Sequence, residues 1–498
     1  MYRSYTGTQI RAAEQPRLAA GEGPALMRTA AWGLAHHTLQ HLRHRGRIYG
    51  SRVVGLIGKG NNGGDTLWAL SFLAARGVAT TAIAVLADVT EVHPAGRAAL
   101  TAAGGHFSNS IPHDTDVVID GVFGTGFSGT FDLPAYLTEH RLHIPDAADI
   151  IACDIPSGVH ADTGDIPGAS LKADLTVTFA GPKIGLLAGA GAHHAGRIQM
   201  VDIGISSALA ALPAPWWVAE SADVAHYYGS PRWDAHKYSR GVLSVVAGSP
   251  AYPGAAVLVA KAATATGVGY LSVVAESAGS TVVADHVLAV VPQAVVADSI
   301  TPKATAIVVG PGLGDTAHGR RAAISALQAG AQHHVPVLVD ASGLDVLDVT
   351  SFNDDYAALV LTPHVGEMHR LTQRLAPDLT EHATVAQAEA FATRFRIWVV
   401  LKSATTYVFG PHGQRSVHPP YTAELATAGT GDTLAGILGA GLSRLNPEGA
   451  VFSEQIFGTL AAGVRLHSMA GQLAAADGGV VVSTLEHYIR QAKLQGLE

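Results

Sequence analysis

Cysteine, charge and long apolar runs are all scarce in this sequence. A single cysteine, Cys153, stands among 498 residues, which excludes an intrachain disulfide and predicts a reducing compartment. Charged residues make up only 14% of the chain, the formal net charge is −8 and no basic run occurs, so we expect no nucleic-acid partner. The N-terminus lacks the apolar segment of a signal peptide, and no apolar run reaches the roughly 18 residues of a membrane span. We therefore expect a cytoplasmic protein without a membrane partner.

Apolar residues and glycine are abundant: 48% of the residues are hydrophobic and 56 are glycine, as is typical of packed α/β domains with glycine-rich loops. Short β-branched runs alternate with Ala- and Leu-rich stretches in two series. Strands are predicted at residues 53–57, 81–86, 117–119 and 150–152, and then at 241–246, 306–309, 335–339, 358–361 and 398–401. A helix is predicted at residues 66–76, closed by Gly77. This alternation predicts parallel sheets, which bind ligands at the carboxyl ends of their strands.

A break in the periodicity near residues 205–235 separates the two series. It contains Leu212-Pro213-Ala214-Pro215-Trp216-Trp217, and Pro231 follows. No short-period repeat occurs, so the chain is not a solenoid. We expect a linker here between two α/β domains.

The segment Ala428-Gly429-Thr430-Gly431-Asp432 predicts an amide-lined turn that opens a helix, because Leu434, Ile437 and Leu438 then recur at helical spacing. A helix N-terminus favours anions, so we expect Asp432 to be held ionised there. This arrangement suits transfer of phosphate to an alcohol, in which amides stabilise the transferring group and Asp432 accepts the hydroxyl proton. The alternative is that Asp432 only caps its helix.

The segment Gly58-Lys59-Gly60-Asn61-Asn62-Gly63-Gly64-Asp65 follows a predicted strand and precedes a helix. It matches the Gly-x-Gly-x-x-Gly pattern of dinucleotide-binding proteins, but this match is weak. Asp65 would repel a pyrophosphate at the helix start, and Lys59 is not followed by Ser or Thr as in a Walker loop. A glycine-rich turn without a ligand is the alternative.

Two aspartates follow predicted strands of the first half. Asp120 lies in Val118-Ile119-Asp120-Gly121-Val122-Phe123-Gly124-Thr125-Gly126, and Asp154 lies in Cys153-Asp154-Ile155-Pro156-Ser157-Gly158. A parallel sheet would bring both to one edge, where we expect Asn62 to end a neighbouring strand. Converging oxygens suit a hard cation, and the remaining carboxylate can serve as an acid or base. The alternative is that both aspartates cap turns.

Three further segments follow predicted strands of the second half, and with the Asp432 turn they are expected to line one edge of a sheet. They are Pro311-Gly312-Leu313-Gly314, Thr362-Pro363-His364-Val365-Gly366-Glu367 and Leu401-Lys402-Ser403-Ala404-Thr405-Thr406. The cation of Lys402 and the hydroxyls after it suit a nucleotide phosphate. His364 is singled out among the 25 histidines because of its Pro and Gly-Glu neighbours.

In order and spacing, these motifs resemble those of the bifunctional NAD(P)H-hydrate repair enzyme family, and the resemblance covers nearly the whole chain. The first half is similar to the hydrate epimerases in the segments 60–65, 120–126 and 154–158. The second half is similar to the ribokinase-like, ADP-dependent dehydratases in Tyr252-Pro253-Gly254-Ala255-Ala256 and in the segments 310–314, 362–367 and 429–432. Any one of these motifs is common, whereas their combination is specific.

The resemblance implies a Rossmann-like parallel-sheet epimerase domain at residues 1–220 and a ribokinase-like α/β dehydratase domain at residues 221–498. NADH and NADPH become hydrated at C6 of the nicotinamide ring, which gives two epimers. The first domain would interconvert the R and S epimers. The second would remove water from the S form, using ADP to phosphorylate the C6 hydroxyl and releasing AMP and phosphate. The implied cofactors are K+ in the first domain and ADP, with Mg2+, in the second. We also expect a homo-oligomer.

Individual site residues are likewise implied by the resemblance. K+ would be held by Asn62, Asp120 and Ser157. Hydrate in the first domain would contact the catalytic Asp154 and Asn61, Asn62, Gly63, Gly64, Asp65, Gly124, Thr125, Gly126, Phe127, Ser128, Gly129 and Thr130. Hydrate in the second domain would contact Ala255, Gly314, His364 and the catalytic Asp432. ADP would contact Lys402, Ser403, Ala404, Thr405, Thr406 and Gly431.

The sequence departs from the family pattern at three places. Met27-Arg28-Thr29-Ala30-Ala31 stands where the epimerases usually read Met-Glu-Asn-Ala-Gly, Thr66 replaces a Gly after Asp65, and Ser403 replaces a Gly after Lys402. Two alternatives stay open at this point. The second half could be a kinase for a small alcohol, such as a vitamin or sugar, and the first half could be a binding domain without catalysis.

Overall fold

The structure is a computed structural model, which describes residues 1–213, 216–274, 280–352, 355–447, 449 and 451–496. The chain forms two compact units. The N-terminal unit is Arg3–Trp216, and the C-terminal unit is Trp217–Glu498 together with Met1–Tyr2.

The N-terminal unit is an α/β layer structure. After β1 (Tyr2–Ser4) come the strands β2 (Arg52–Ile57), β3 (Ala79–Ala84), β4 (His106–Phe107), β5 (Val117–Gly121), β6 (Asp149–Cys153), β7 (Leu175–Phe179) and β8 (Arg197–Val201). The helices are α1 (Gly7–Ala19), α2 (Gly23–His44), α3 (Asn61–Ala74), α4 (Pro94–Ala102), α5 (Leu133–Glu139), α6 (Gly189–His194) and α7 (Ser206–Ala210). The sheet order is β4-β3-β2-β5-β6-β7-β8, and all neighbouring strands are parallel.

Helix α3 shows how the apolar pattern places the site at one edge of this sheet. Leu67, Leu70 and Leu73 recur at helical spacing and are fully buried. A β-carbon on Gly55 of β2 would lie only 2.8 Å from Leu70 Cδ1, so the glycine allows the helix to lie close to the strand. Because β2, β5 and β6 are parallel neighbours, the loops that leave them share the carboxyl edge of the sheet.

The C-terminal unit is built on a larger mixed sheet. Its strands are β9 (Trp216–Val218), β10 (Val242–Val246), β11 (Tyr270–Val274), β12 (Val295–Ala297), β13 (Ala306–Val309), β14 (Pro336–Val339), β15 (Ala358–Leu361), β16 (Trp398–Leu401), β17 (Thr406–Phe409) and β18 (Arg415–His418). Its helices are α8 (Ser221–Tyr228), α9 (Pro253–Thr266), α10 (Ser280–Val290), α11 (Ala317–His333), α12 (Val365–Leu375), α13 (Thr384–Phe395), α14 (Thr430–Leu442), α15 (Phe452–Ala476) and α16 (Leu485–Gln495).

The strand order of this sheet is β1-β9-β18-β17-β16-β15-β14-β13-β10-β11-β12. The pairings among β10 to β16 are all parallel, whereas β17 is antiparallel to both β16 and β18. Helices α9 and α14 cover one face in close contact, because a β-carbon on Gly436 would lie 2.4 Å from the Val259 carbonyl oxygen. Both helices begin at the carboxyl edge of the parallel strands.

Several predicted elements differ from the observed ones. Helix α3 begins at Asn61 rather than at residue 66, so Asn62 lies in its first turn and does not end a strand. Asp120 lies within β5, which continues to Gly121. The region 205–235 is not a structureless linker, since it contains α7, β9 and α8; Ala214 and Pro215 of the predicted break lie outside the described residues. Secondary structure forms in this segment because apolar side chains such as Val224 and Tyr228 are fully buried.

We expect residues 3–213 and 214–498 to fold as separate soluble proteins, because each fragment retains its own core and its own sheet, apart from the edge strand β1 of the C-terminal sheet. The measurement is cooperative thermal unfolding of each fragment, followed by circular dichroism. A C-terminal fragment that starts at residue 221 is the control: it lacks β9 and the buried Val218, and it should melt at a lower temperature. Aggregation of both longer fragments would contradict the prediction.

Candidate active sites

The N-terminal unit contains a cavity of about 1030 Å³ beside the loops that follow β2, β5 and β6. Predicted contact residues that line it are Asn61, Asn62, Asp65, Gly124, Thr125, Gly126, Phe127 and Asp154. Gly63 and Gly64 are buried within α3, where a β-carbon on Gly63 would lie 2.1 Å from the Gly58 carbonyl oxygen. Residues 128–130 are exposed and do not line the cavity. The structure thus brings most of the predicted hydrate-binding residues around one cavity.

Asp154 reaches this cavity from the turn after β6, and it is held by a buried lysine. Its backbone is left-handed, with φ of 68°, which is uncommon outside glycine. Asp154 Oδ1 forms a short ion pair with Lys183 Nζ, and Lys183 is only 1% exposed. The same ammonium group donates to Thr178 Oγ1 at 3.0 Å and to the Phe179 carbonyl oxygen at 2.8 Å. These bonds fix the charged pair at the cavity wall.

Two other carboxyl groups line the same cavity and differ from Asp154 in their surroundings. Burial raises the pKa of Asp65 well above its usual value, and the nearby Asp154 and Glu14 raise it further. Burial and the charge of Asp154 also raise the pKa of Glu14. Among the described residues, neither Asp65 nor Glu14 has a cation within ion-pairing distance. One cavity therefore contains an ion-paired carboxylate beside two carboxyl groups whose pKa values are raised.

The three residues expected to hold K+ are connected through Phe123. Asn62 Nδ2 donates to the Phe123 carbonyl oxygen at 2.9 Å, and the Phe123 N–H donates to Ser157 Oγ at 2.9 Å. Ser157 in turn donates to Asp120 through its N–H at 2.8 Å and its hydroxyl at 2.5 Å. Asp120 is completely buried, and this burial raises its pKa. The structure thus places the three predicted residues in one network.

In the C-terminal unit, the Asp432 turn has the predicted form. Gly429 is left-handed, with φ of 93°, and α14 begins at Thr430, so Asp432 lies in the first turn of the helix. The expectation that Asp432 is held ionised at this helix N-terminus stays a prediction. Burial, together with the negative charge of Asp340, raises the pKa of Asp432 to about 6. The positive charge of Lys402 opposes this rise.

Lys402 lies beside this turn and connects it to a carboxylate. Its Nζ donates to Asp340 Oδ1 at 2.5 Å, and a β-carbon on Gly431 would lie 3.6 Å from the same nitrogen. Asp340 is 2% exposed and directly follows β14. The charges of Asp340, Glu367 and Asp432 raise the pKa of Lys402 against the opposing effect of burial. The ammonium group therefore stays charged beside the open amides of the turn.

The remaining predicted residues of this unit lie on loops at the same edge of the sheet. His364 caps α12, with Nδ1 accepting from the Gly366 N–H at 3.0 Å, and it is bridged to Lys402 through the backbone. A β-carbon on Gly314 would lie 3.9 Å from Tyr252 Cε2, in the turn just before Ala255 of α9. Positions 403 and 404 are exposed, Thr405 is buried and Thr406 begins β17.

Comparison with known proteins connects the two sites to a family. The description "YjeF-related protein N-terminus" matches residues 23–185, and the description "NAD(P)H-hydrate dehydratase" matches residues 243–494. The chain is 39% identical over 459 residues to the bifunctional NAD(P)H-hydrate repair enzyme Nnr of Mycobacterium tuberculosis H37Rv, which covers 90% of this chain and 91% of the relative. The chain belongs to the bifunctional NAD(P)H-hydrate repair enzyme family.

Other repair enzymes of this family extend the similarity. The Mycobacterium leprae enzyme is 37% identical over 490 residues, which span 96% of this chain and 95% of the relative. Among solved structures, the ADP/ATP-dependent NAD(P)H-hydrate dehydratase of Bacillus subtilis, co-crystallized with ATP and Mg2+, aligns with 57% of this chain and 100% of its own at 24% identity and a TM-score of 0.48.

The repair-enzyme family confirms the predicted resemblance over both halves of the chain, and the α/β fold of each unit is the predicted one. A small-alcohol kinase fused to a non-catalytic domain is not favoured, because relatives that cover both halves are repair enzymes. In the part of the chain that the structure describes, no helix is long and apolar enough to cross a membrane.

Sequence reasoning missed three residues that the structure brings into the sites: Lys183, Glu14 and Asp340. Asp340 carries the same signal as Asp120 and Asp154, since it directly follows a buried strand. Lys183 follows β7 in the run Ala180-Gly181-Pro182-Lys183, where a Gly-Pro pair after a strand marks a turn at the sheet edge. Glu14 lies on α1, far from any motif, and gives no such signal.

Proposed function

We propose that the N-terminal unit epimerises the R and S hydrates of NADH and NADPH, and that the C-terminal unit dehydrates the S form with ADP. The observation that carries this proposal is the pair of separate acid–base sites, with Asp154 in one unit and Asp432 in the other. In each unit the proposed acid–base carboxyl group lies at the carboxyl edge of its own sheet with a lysine nearby, Lys183 beside Asp154 and Lys402 beside Asp432. The domain assignment follows: residues 1–220 contain the epimerase, and residues 221–498 contain the dehydratase.

In the proposed dehydratase, Asp432 accepts the proton of the C6 hydroxyl while that oxygen attacks the β-phosphorus of ADP and AMP leaves. The amides of the turn and the Lys402 ammonium stabilise the charge on the transferring phosphoryl group. The phosphorylated oxygen then departs as phosphate, and loss of a C5 proton restores the ring double bond. His364, Ala255 and Gly314 would contact the hydrate. Gly431 and residues 402–406 would contact the nucleotide, and Mg2+ bound with ADP would neutralise its phosphates.

In the proposed epimerase, Asp154 and Asp65 have complementary tasks. Asp154, held by Lys183, would accept a proton, whereas Asp65, whose pKa is raised by burial, would donate one. Lys183 acts as a positioning residue because it fixes the direction of the Asp154 carboxylate. Inversion at C6 breaks the bond between C6 and the hydroxyl oxygen, which leaves as water with the donated proton, and water then adds to the opposite face and gives a proton to the carboxylate.

The N-terminal site also fits the K+ ion that the resemblance implies. A β-carbon on Gly124 would lie 3.1 Å from Asn62 Oδ1 and 3.4 Å from Asp154 Oδ2, so the glycine leaves a space bordered by oxygens. Asp120 is a buried carboxyl group without a cationic partner among the described residues, and hard cations prefer such oxygen ligands. Asn62, Asp120 and Ser157 would hold K+ there, and its charge would stabilise negative charge near the hydrate.

The proposed function is tested by an assay on a mixture of R and S hydrates with ADP, with ATP or without nucleotide. We expect full recovery of reduced-nicotinamide absorbance only when a nucleotide is present. Recovery without nucleotide, above the spontaneous rate, would contradict an ADP-driven dehydration. We further propose that the protein is cytoplasmic, which the single cysteine supports because it fits a reducing compartment. We also propose that it forms a homo-oligomer.

The pH profile of the dehydratase provides a further prediction. Because the pKa of Asp432 is raised to about 6, the ionised base is depleted below that pH. We expect kcat/KM for S hydrate to rise about tenfold between pH 5 and pH 6.5 and to level off above pH 7. The residual activity of Asp432→Asn should lack this rise. A wild-type profile flat from pH 5 to pH 7 would exclude Asp432 as the base.

A further inference from the structure

Three cationic side chains from different segments meet at the C-terminal end of α9. Arg240 Nη2 donates to the Gly267 carbonyl oxygen at 3.0 Å. Arg444 Nη2 and Lys493 Nζ both donate to the Thr266 carbonyl oxygen, at 2.7 Å and 2.6 Å. One of these residues precedes β10, one follows α14 and one lies on α16. We call them the cation cluster.

The three charged nitrogens lie close to one point. A β-carbon on Gly267 would lie 3.1 Å from Arg444 Nη2, 3.3 Å from Lys493 Nζ and 3.4 Å from Arg240 Nη2. Gly267 has φ of 98°, a backbone conformation that favours glycine. The residue at the meeting point of the three cations therefore has no side chain to separate them. Such crowding of like charges is unfavourable unless an opposite charge is present.

The described residues supply too little negative charge for this cluster. None of the three cations forms an ion pair within the part of the chain that the structure describes. The end of a helix carries only about half a negative charge, against three positive ones. Burial, with the charges of Arg444 and Arg240, lowers the pKa of Lys493 to about 8, as expected when no anion compensates. Capping of α9 therefore does not account for the cluster.

A second observation extends the positive surface beyond the cluster. Lys237 Nζ and Lys303 Nζ lie 5.0 Å and 4.8 Å from the centre of the Tyr238 ring, two residues before Arg240. Their charges lower the pKa of the Tyr238 hydroxyl. Two more cations therefore lie around a residue close in sequence to Arg240.

We propose that the cation cluster is a binding site for a dianionic phosphate group, either free phosphate or a phosphate monoester. Guanidinium groups present paired N–H donors that match phosphate oxygens, and a lysine adds a mobile point charge. Two guanidinium groups and one ammonium carry many more N–H donors than two carbonyl oxygens accept. The cluster thus has both the charge and the donors for such a ligand.

This site is distinct from the proposed dehydratase site. Helices α9 and α14 carry Ala255 and Asp432 in their first turns, and their opposite ends lie at the cation cluster. The 13 residues of α14 span about 20 Å at the usual rise of 1.5 Å per residue. Phosphate at the cluster would therefore not occupy the place of ADP, and binding at the two sites can be measured separately.

The test is calorimetric titration of the full chain with inorganic phosphate at constant ionic strength and without nucleotide, because the terminal phosphate of ADP would compete for the cluster. We expect one saturable site in the wild type. Lys493→Met should weaken it about tenfold or more, since a charge-assisted bond is lost, whereas Lys493→Arg should retain it. Arg490→Met is the matched control, because it removes an exposed cation from the same helix and should leave binding unchanged. Arg444→Met provides a second loss variant if Lys493→Met unfolds.

Several results would overturn the proposal. Equal heats from phosphate and from chloride at matched ionic strength would indicate screening alone. Equal losses in Arg490→Met and Lys493→Met would indicate a diffuse surface charge. Binding that arises only after deletion of residues 497–498 would show that the chain itself supplies the anion. A parallel titration with glycerol phosphate separates the two sources: tighter binding than inorganic phosphate indicates a monoester, and weaker binding indicates free phosphate.

Discussion

Asp432→Asn is expected to reduce ADP-dependent dehydration of S hydrate by on the order of a hundred- to ten-thousand-fold, while the protein stays folded. Asparagine keeps the size of the side chain and can still accept hydrogen bonds at the start of α14. It cannot accept the hydroxyl proton at pH 7, which the aspartate can because its pKa of about 6 lies just below. The measurement is single-turnover recovery of reduced nicotinamide at saturating ADP.

The matched control for this change is Asp348→Asn. Asp348 caps a short helix of the same unit, accepting from the Thr350 N–H at 2.8 Å, and lies outside the proposed site. We expect this control to lose less than about twofold in rate, because a cap affects stability and not chemistry. A loss below about threefold in Asp432→Asn as well would mean that Asp432 is only a cap. ADP affinity should be similar in both variants.

Asp154→Ala is expected to abolish epimerisation and leave dehydration intact. With a mixed hydrate and excess ADP, the variant should consume the S form and then stop, apart from slow spontaneous epimerisation. Wild type should consume both forms, because its N-terminal unit keeps converting R to S. The measurement is the second phase of absorbance recovery. Equal second phases in variant and wild type, both above the spontaneous rate, would rule out Asp154 as the epimerase acid–base group.

A stability effect must be separated from this catalytic effect. Removing Asp154 leaves the buried Lys183 ammonium without its partner, which typically costs about 3–5 kcal/mol of folding free energy. Combining Asp154→Asn with Lys183→Met removes both charges, so it should recover most of that stability and still lack the second phase. Asp132→Ala, which removes an exposed cap of α5, is the control for the unit and should keep both phases. If neither wild type nor this control exceeds the spontaneous rate, the N-terminal unit is not an epimerase and residues 27–31 become the leading explanation.

The sequence allowed the sheets and their functional edges to be predicted, because buried parallel strands are short apolar runs with clear ends. The strands at 306–309, 358–361 and 398–401 coincide with β13, β15 and β16. The start of α3 was mispredicted because Gly63 and Gly64 disfavour helix in isolation. In the fold they are required, since a β-carbon on Gly63 would collide with Gly58. Tertiary packing here outweighs local propensity.

Charge relations within the sites could not be predicted to the same extent. Asp154 is 29 residues from Lys183, and Lys402 is 62 residues from Asp340, so neither ion pair has a local sequence pattern. The protonation of Asp432 depends on how much water the surrounding residues exclude, which periodicity does not reveal. Strand ends indicate where polar side chains gather, whereas the pKa of each group follows from its burial and neighbours.

The single cysteine gives the N-terminal unit a natural reporter of its own opening. Cys153 is fully buried at the end of β6, and burial together with the nearby Asp65 carboxyl raises the pKa of its thiol well above the usual value. Only the thiolate reacts with a thiol reagent, so Cys153 is protected from labelling while the unit is closed. Because the C-terminal unit has no cysteine, the labelling rate of the intact chain measures how often the N-terminal unit opens and exposes Cys153. Labelling kinetics with and without ADP would then show whether nucleotide binding in the C-terminal unit changes the rate of local opening in the N-terminal unit.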